Sequence, residues 1–529
     1  MTDSHTTTGT HDETDSRPTV AESMLRSLAE CGVEYVFANF GTDHTPFIEA
    51  AARLREDGDD APEFVVCPHE SVALSAAHGH AAMTGEPQAV FVHVDVGTQN
   101  LGAMVHNAHR GNAPVFIFAG LAPISDAGHP GSRSSGVHFL QDVYDQTEIV
   151  EQYCRWTGEY RPPADPDEYV ARALELASTT PRGPAYLTAT REALETPAEA
   201  DPGSRSIEGA GLPPADEATR MQVASLIRKA DAPLVITSKL GLGDPKSSIE
   251  SLIDFVETAG AGVVERTPAA LCFPRTHELH AGFWPESAIE RADLILLVDI
   301  DIPWVPSPGM PPNPDVPVMH VDADPEKRDY PRWNVDVDLS IRADPASTLS
   351  VLAERLNRAD GASGREIWRS ANKERREELD ATLEEHYADK RLTPAVLTDA
   401  VRRCIDDSAV FLNETTTNQF TVLQYLEVDD PGRYLSPHGS GLGWAPGAAI
   451  GAKLAHPNQT AVALVGDGSY VFSNPSAVGW TAAAHGAPTL TVVYNNSGWN
   501  AVRHATLDQH PDGAAAATDI PESTFDPTF

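Results

Sequence analysis

The sequence predicts an α/β protein made of three doubly wound, parallel-sheet domains. Three observations lead there. Short apolar runs end in polar or turn-forming residues and alternate with helix-favouring stretches, the pattern of strand–helix–strand units. At 529 residues the chain is too long for a single core. The composition also changes twice, in a stretch rich in Pro, Gly, Glu and Asp between Thr196 and Ala218, and in a charged stretch that ends near Lys390. The expected boundaries are a polar disordered tail (1–17), a first domain (18–195), a linker (196–217), a central domain (218–360), a connecting helix (361–391) and a last domain (392–529).

The global composition narrows the function. No apolar run approaches the length needed to span a bilayer, and the tail lacks the apolar stretch of a secretory signal, so a soluble, cytoplasmic protein is expected. The five cysteines have no CxxC spacing, which fits a reducing compartment and argues against structural zinc. The net charge is −39, with 77 acidic against 38 basic residues. Such an excess repels itself unless salt screens it, so the composition points to a salt-rich, halophilic cytoplasm. Without a basic stripe to neutralise phosphates, nucleic-acid binding is excluded.

In the first domain, Ser23–Glu30 reads as an amphipathic helix and Tyr35–Phe40 as a strand leading into Gly41-Thr42-Asp43-His44. A second strand, Phe64–Cys67, precedes Pro68-His69-Glu70 and a small-residue helix to Met83. The strand Ala89–Val94 is followed by Gly97-Thr98-Gln99-Asn100, a helix to about His109 and the strand Val115–Ala119. Polar groups thus stand at three strand ends, Asp43/His44, Glu70 and His93, and all should open on one edge of the sheet. Glu70 lies in an apolar setting where a lone carboxylate is costly without a partner; the plainer reading is a charge at a helix start. His78, His80, His106 and His109 read as structural or interface residues.

The central domain alternates in the same way, with strands at Pro233–Thr237, Gly262–Glu265, Leu294–Asp299 and Val318–Val321. The turn Lys239-Leu240-Gly241-Leu242-Gly243 is a weak nucleotide fingerprint, lacking the third glycine and a placed acidic partner. The stretch Ile367–Lys390 is a solvated connecting helix.

The last domain organises the chain. The apolar run Ala461–Val465 ends in Gly466-Asp467-Gly468, and a second run, Thr489–Tyr494, ends in Asn495-Asn496. As neighbouring parallel strands they would set Asp467 and Asn496 side by side at the carboxyl edge. A carboxylate, an amide oxygen and a backbone carbonyl form a hard oxygen set suited to Mg²⁺, which completes its shell with phosphate oxygens. Upstream, Asn413-Glu414-Thr415-Thr416 follows another strand, and His438-Gly439-Ser440-Gly441-Leu442-Gly443 is a glycine-rich loop allowing close backbone approach. Ser440 lacks the context of a hydrolase nucleophile elbow.

A GDG followed by NN, with 27 residues between Gly468 and Asn496, each after a strand, resembles the thiamine diphosphate enzymes. The segments around Glu70, HE-x-x-A-x-x-A-A-x-G, and around His93, FVHVDVGTQNLGAMVHNAHRGNAPVFIFAG, most resemble benzoylformate decarboxylase and its acetolactate-synthase-like relatives. The resemblance implies thiamine diphosphate and Mg²⁺ as cofactors, with the metal on Asp467, Asn496 and the main chain of Gly498. It implies that Glu70 bonds the aminopyrimidine and promotes deprotonation of the thiazolium carbon. Gly97, Thr98 and Asn100, in a small-residue turn, would lie beside the cofactor, Asn413 and Thr415 near its diphosphate, and Gly466, Gly468 and Ser469 around the metal turn. Leu442, after Gly441, would wedge the two rings into a V. His93, with Asp43 or His44, is the candidate for proton handling.

The implied activity is decarboxylation of a 2-oxo acid with ligation to a second oxo compound, as in acetolactate synthase. The alternatives are a non-ligating decarboxylase of the benzoylformate type, a cofactor-binding but inactive subunit, and a dinucleotide oxidoreductase using the turn at 241–243. FAD in the central domain is possible in such a family but not favoured. Glu70 and Asp467 fall in different domains, and the family buries its cofactor between subunits, so a homodimer or homotetramer is expected. Two departures stand out: Trp304 occupies the region of the second histidine of the benzoylformate enzyme, and the last domain ends at Phe529 as if truncated.

Overall fold

The computed structural model describes residues 17–198, 209–305 and 312–514. Residues 1–16 of the expected tail, 199–208 of the linker, 306–311 of the central domain and the last fifteen residues of the chain lie outside the described residues. Three parallel sheets form, one per domain. The first holds β1 (Tyr35–Ala38), β2 (Glu63–Val66), β3 (Gln88–Val92), β4 (Val115–Leu121), β5 (Trp156–Glu159) and β6 (Ala185–Thr190), in the order β2-β1-β3-β4-β6-β5. The second holds β7 (Pro233–Thr237), β8 (Gly262–Glu265), β9 (Leu294–Val298), β10 (Val318–Asp322) and β11 (Leu339–Arg342), in the order β11-β10-β9-β7-β8. The third holds β12 (Val410–Glu414), β13 (Tyr434–Leu435), β14 (Ala461–Gly466) and β15 (Leu490–Tyr494), in the order β13-β12-β14-β15.

These strands are apolar on both faces because helices cover both, and β3, β7, β9 and β14 are buried along their whole length. The helices begin where capping chemistry allows. Thr19 and Glu22 close a capping box at Val20–Glu30, and Asp165, Asp244 and Asp344 each cap a helix that opens on proline. Each sheet has a point from which the chain winds outward in both directions, between β1 and β3, between β7 and β9, and between β12 and β14, and the first sheet reverses again at its far edge, where β5 lies outside β6. The polar strand ends singled out in the sequence collect at these outward-winding points, where open α/β sheets leave a crevice.

The first and third domains share a core. Helix Glu70–Thr84 lies against helix Trp444–Ala455, and Val72, Ala73, Ala76 and Ala77 pack with Trp444, Ala448, Ala449 and Ala452. Both helices are rich in alanine and glycine, which lets the backbones meet. A Cβ on Gly451 would stand 1.9 Å from the Ala76 carbonyl oxygen, and one on Gly79 would stand 2.2 Å from that of Ala448. Trp444 Nε1 donates to His78 Nδ1 at 2.9 Å across the same contact, and burial lowers the His78 pKa to about 3, which keeps its ring neutral. His78 is therefore structural, as its sequence context suggested.

The connecting helix runs over Ala362–Ala388 and buries Trp368 and Asn372 against the central domain. One expectation needs correction. The stretch Gly97–Asn100 is not a turn but part of helix Val94–Leu101, which starts directly after β3 because Val94 adopts a left-handed φ of 35°. Trp304 packs in the hydrophobic core of the central domain and opens on no crevice. No helix of the described residues is long and apolar enough to cross a membrane.

Candidate active site

The edge of the first sheet is built around Glu70. β2 delivers it to the start of its helix, with His69 as the capping residue whose Nδ1 accepts from Ser71 N. The side chain is only 4% exposed. Asn39, just past β1, donates to Oε1 at 2.9 Å, and Asn100 donates to Oε2 at 3.1 Å. Among the described residues no Lys or Arg lies within ion-pair distance, so two neutral amides satisfy this carboxyl. Gly97 passes so close that a Cβ there would lie 3.2 Å from Oε1. Asn39 carried no motif in the sequence; only the β1–β2 pairing brings it to Glu70.

His93 follows β3 on the same edge and pairs with Asp43. Its Nδ1 meets Asp43 Oδ1 in a short hydrogen bond, and its Nε2 meets the side chain of Gln141 at 3.0 Å. Asp43 Oδ2 also accepts from Gly120 N at 3.1 Å and Val94 N at 3.3 Å. Burial opposes ionisation of Asp43, but His44 and His93 outweigh it and hold the carboxyl well below the usual aspartate range. In return the bond to Asp43 raises the His93 pKa against the opposing effect of burial. Gly41 and Gly120 make room for the pair, since a Cβ at either would collide with it.

His44 takes a different place. Its Nδ1 accepts from Gly41 N at 3.0 Å, and its fully buried ring packs with Phe40, Phe91 and Phe118. It braces Asp43 from the core side and faces no crevice. Thr98 is likewise spent inside its own domain, donating to Val94 O and meeting Tyr186 OH at 2.8 Å.

At the edge of the third sheet, β14 and β15 are register neighbours with Gly466 opposite Tyr494, which sets Asp467 beside the Asn496 turn. Asp467 is 5% exposed and accepts from Gly468 N at 2.9 Å and Gly498 N at 3.2 Å. Asn496 is exposed, its amide 3.5 Å from Thr417 Oγ1. A buried carboxylate with no cation partner among the described residues, beside the exposed amide oxygen of Asn496, is an oxygen-rich set that fits Mg²⁺. Asn413 Oδ1 accepts from Thr415 N and Oγ1, fixing that turn, and Ser469 Oγ lies 3.4 Å from Thr416 Oγ1.

The glycine-rich loop is clamped from three sides. Asn107 of the first domain holds Gly441 at both N and O, at 2.9 and 2.8 Å, while His106 Nε2 accepts from Ser440 N. Asp301 of the central domain meets His438 Nε2 at 3.2 Å. Glu414 accepts from Gly443 N and Ala445 N, and burial pushes its pKa up to about 8. Leu442 is thereby presented, half-buried, to a cavity of about 340 Å³ that Asn413, Glu414 and Thr416 also line. An apolar Leu442 among polar side chains and glycine backbone makes a lining that fits an organic ligand. Asn107 and Glu414 lay in plain view in the sequence, but nothing in their spacing marked them as clamps.

Glu70 and Asp467 stand on different domains, and no hydrogen bond of the described residues joins their two sets. In the central crevice, the glycine that suggested a nucleotide turn has another use. Gly241 packs on the backbone of Leu271, where a Cβ would stand 1.8 Å from its carbonyl oxygen, and Lys239 is held by Asp301 and Asn112.

Models of the thiamine pyrophosphate enzymes match in chain order: the N-terminal TPP binding domain over 18–149, the central domain over 221–352 and the C-terminal TPP binding domain over 414–528. The chain is 25% identical to a benzoylformate decarboxylase of Pseudomonas aeruginosa, over 96% of this chain and 91% of that protein. It is also 25% identical to an acetolactate synthase large subunit of Corynebacterium glutamicum, over 92% and 76%. Among solved structures, a thiamine diphosphate-dependent 4-hydroxybenzoylformate decarboxylase of Rhodococcus jostii RHA1 superposes with a TM-score of 0.77 at 22% identity, covering 97% of this chain and 91% of that one. That likeness shows a shared fold. Three family domains in order, on three parallel sheets whose edges hold the buried Glu70 and Asp467, establish that the chain belongs to the thiamine pyrophosphate-dependent enzymes.

Proposed function

We propose that the chain is a thiamine diphosphate- and Mg²⁺-dependent enzyme that decarboxylates a 2-oxo acid and protonates the product to release an aldehyde. The observation behind this reading is the His93–Asp43 pair on the same sheet edge as Glu70. When bound, thiamine diphosphate accepts the electron pair left by the departing carbon dioxide. Asp467, Asn496 and Gly498 are the residues that would hold Mg²⁺, and Leu442 would support the rings. Glu70, between two amide donors, is the group that exchanges a proton with the aminopyrimidine. His93 keeps its proton to higher pH than a free histidine because Asp43 accepts at Nδ1, and its Nε2, which meets Gln141 in this structure, is the nitrogen that would deliver a proton once Gln141 gives way.

Ligation to a second oxo compound, the first expectation from sequence, is the second reading; the cavity beside Leu442 has room for another small molecule. A homodimer is proposed as the minimal unit, because Glu70 and Asp467 do not meet within one chain. Exposed Tyr470, Val471, Phe472 and Trp480 beside Asp467 supply an apolar face for it. A cytoplasm rich in salt is the proposed setting, on the net charge of −39.

The test is product analysis by NMR after incubation with pyruvate or benzoylformate, thiamine diphosphate and Mg²⁺ in molar KCl. Aldehyde alone is expected. A ketol product would replace protonation by ligation, and absence of turnover of every 2-oxo acid tried, monocarboxylic or dicarboxylic, with the cofactor bound would overturn the reading.

A further inference from the structure

The cavity beside Leu442 has walls from two domains, and its charges are unevenly matched. Asp301 is neutralised by Lys239 at 2.5 Å and Lys327 at 2.9 Å and accepts from Tyr330 OH at 2.8 Å. Glu414 is bonded to two backbone amides. Arg266, directly after β8, is the only Lys or Arg lining the cavity among the described residues; Glu286 favours its charge, but only from beyond ion-pair distance. Its Nε and Nη1 are buried and donate to nothing. Its guanidinium lies 4.9 Å from the ring centre of Trp284 and 5.3 Å from that of Phe420, and these two rings stack at 3.8 Å. The rings hold the guanidinium in place but offer no oxygen. Unsatisfied buried donors on a charged group are costly, and a planar fork of N–H groups suits a carboxylate.

The carboxylate that leaves as carbon dioxide is the wrong acceptor. Its charge disperses as the bond breaks, so a cation gripping it would favour the ground state over the transition state. A second anionic group, remote from the bond changes, can be held throughout and contributes binding without that penalty. We propose that Arg266 receives a second carboxylate of the substrate, so that the chain acts on 2-oxo diacids. This rests on the decarboxylase reading above and adds the substrate class to it.

The experiment compares pairs of equal chain length that differ only in the far end: 2-oxoglutarate with 2-oxopentanoate, and 2-oxoadipate with 2-oxohexanoate. Carbon dioxide release is followed with the full chain, thiamine diphosphate and Mg²⁺ in molar KCl. In at least one pair, kcat/KM for the diacid should exceed that for the monoacid by roughly 10- to 100-fold, the range of a charge-assisted hydrogen bond. Arg266→Gln should bring the ratio close to one, mainly through KM, and Arg266→Lys should restore part of it. Equal values in the parent protein, or a preference that survives in Arg266→Gln, overturn the proposal. Weakened thiamine diphosphate affinity in Arg266→Gln with the diacid preference intact also overturns it, by assigning the arginine to the cofactor. If neither class is decarboxylated, the decarboxylase reading fails, and calorimetric titration of 2-oxoglutarate and 2-oxopentanoate into the holoprotein decides the rest. Diacid binding that Arg266→Gln abolishes upholds the anion site; equal or absent binding of the two overturns it.

Discussion

Two buried carboxyl groups on one sheet edge are given opposite partners. Glu70 meets the neutral amides of Asn39 and Asn100, while Asp43 meets two histidines. Glu70→Gln keeps the shape and one acceptor but cannot exchange a proton. It is expected to lower kcat by at least about 100-fold, the usual share of a general acid–base group, while calorimetry finds thiamine diphosphate still bound. For His93, activity that needs its proton should fall as pH rises through its raised pKa, and Asp43→Asn should move that limb of the kcat profile to lower pH. Stability has two windows. His93 has a raised folded pKa, so its contribution is complete below the free histidine value and is lost as pH rises through the folded one. Asp43 has a depressed folded pKa, so its contribution is present above the ordinary aspartate range and is lost as pH falls through it. Urea denaturation across pH, compared with that of His93→Gln, checks both signs.

At the scale of elements, the crossing of Glu70–Thr84 with Trp444–Ala455 fixes where Glu70 and the Leu442 loop stand. Its closest approach is backbone against backbone at Gly451 and Gly79, so a new methyl cannot be accommodated by turning a side chain. Gly451→Ala should destabilise the fold by about 1–3 kcal/mol or more through overpacking, seen as a lower thermal midpoint. If that midpoint did not move, the two helices would not be in the contact described. Asn107 extends the same joint to the cofactor loop, holding Gly441 at both backbone atoms. Asn107→Ala is expected to weaken thiamine diphosphate binding more than it lowers the thermal midpoint, since the loop and not the core is released.

At the scale of the molecule, charge and apolar surface make separate demands. A net charge of −39 favours expansion when counterions are scarce. The thermal midpoint should therefore rise steeply from low salt to molar KCl, as the screening length shortens; a flat response would exclude the salt-adapted reading. The exposed residues Tyr470, Val471, Phe472 and Trp480 flank Asp467, and Phe139, Leu140 and Tyr144 lie near Gln141. If these faces are covered by a second copy, Phe472→Asp should shift the sedimentation coefficient toward that of a monomer and abolish turnover together, because Glu70 and Asp467 would then stand on separated chains.

The sequence by itself determined the three sheets, the strand ends that bear Glu70, His93, Asn413 and Asp467, and the family. These follow from local rules: apolar runs make buried strands, and turn chemistry closes them. Periodicity also placed the connecting helix, whose 27 residues match the charged stretch to within a few positions. The partners were decided only by the tertiary structure. Asn39 reaches Glu70 because β1 pairs with β2, Gln141 reaches His93 from a separate loop, and Asp301 reaches His438 from another domain. Strands β5, β6, β11 and β13 went unmarked: β13 has two residues, β5 and β11 four each, and β6 mixes apolar with hydroxyl side chains. His44 looked chemical in sequence and lies in the core, because the direction of a side chain depends on backbone rotation that no spacing reveals. Arg266 is the converse, one arginine among many until the meeting of two domains removed every acceptor from its buried nitrogens. Strand ends are set by local sequence, but what faces them is set by packing between segments far apart in the chain.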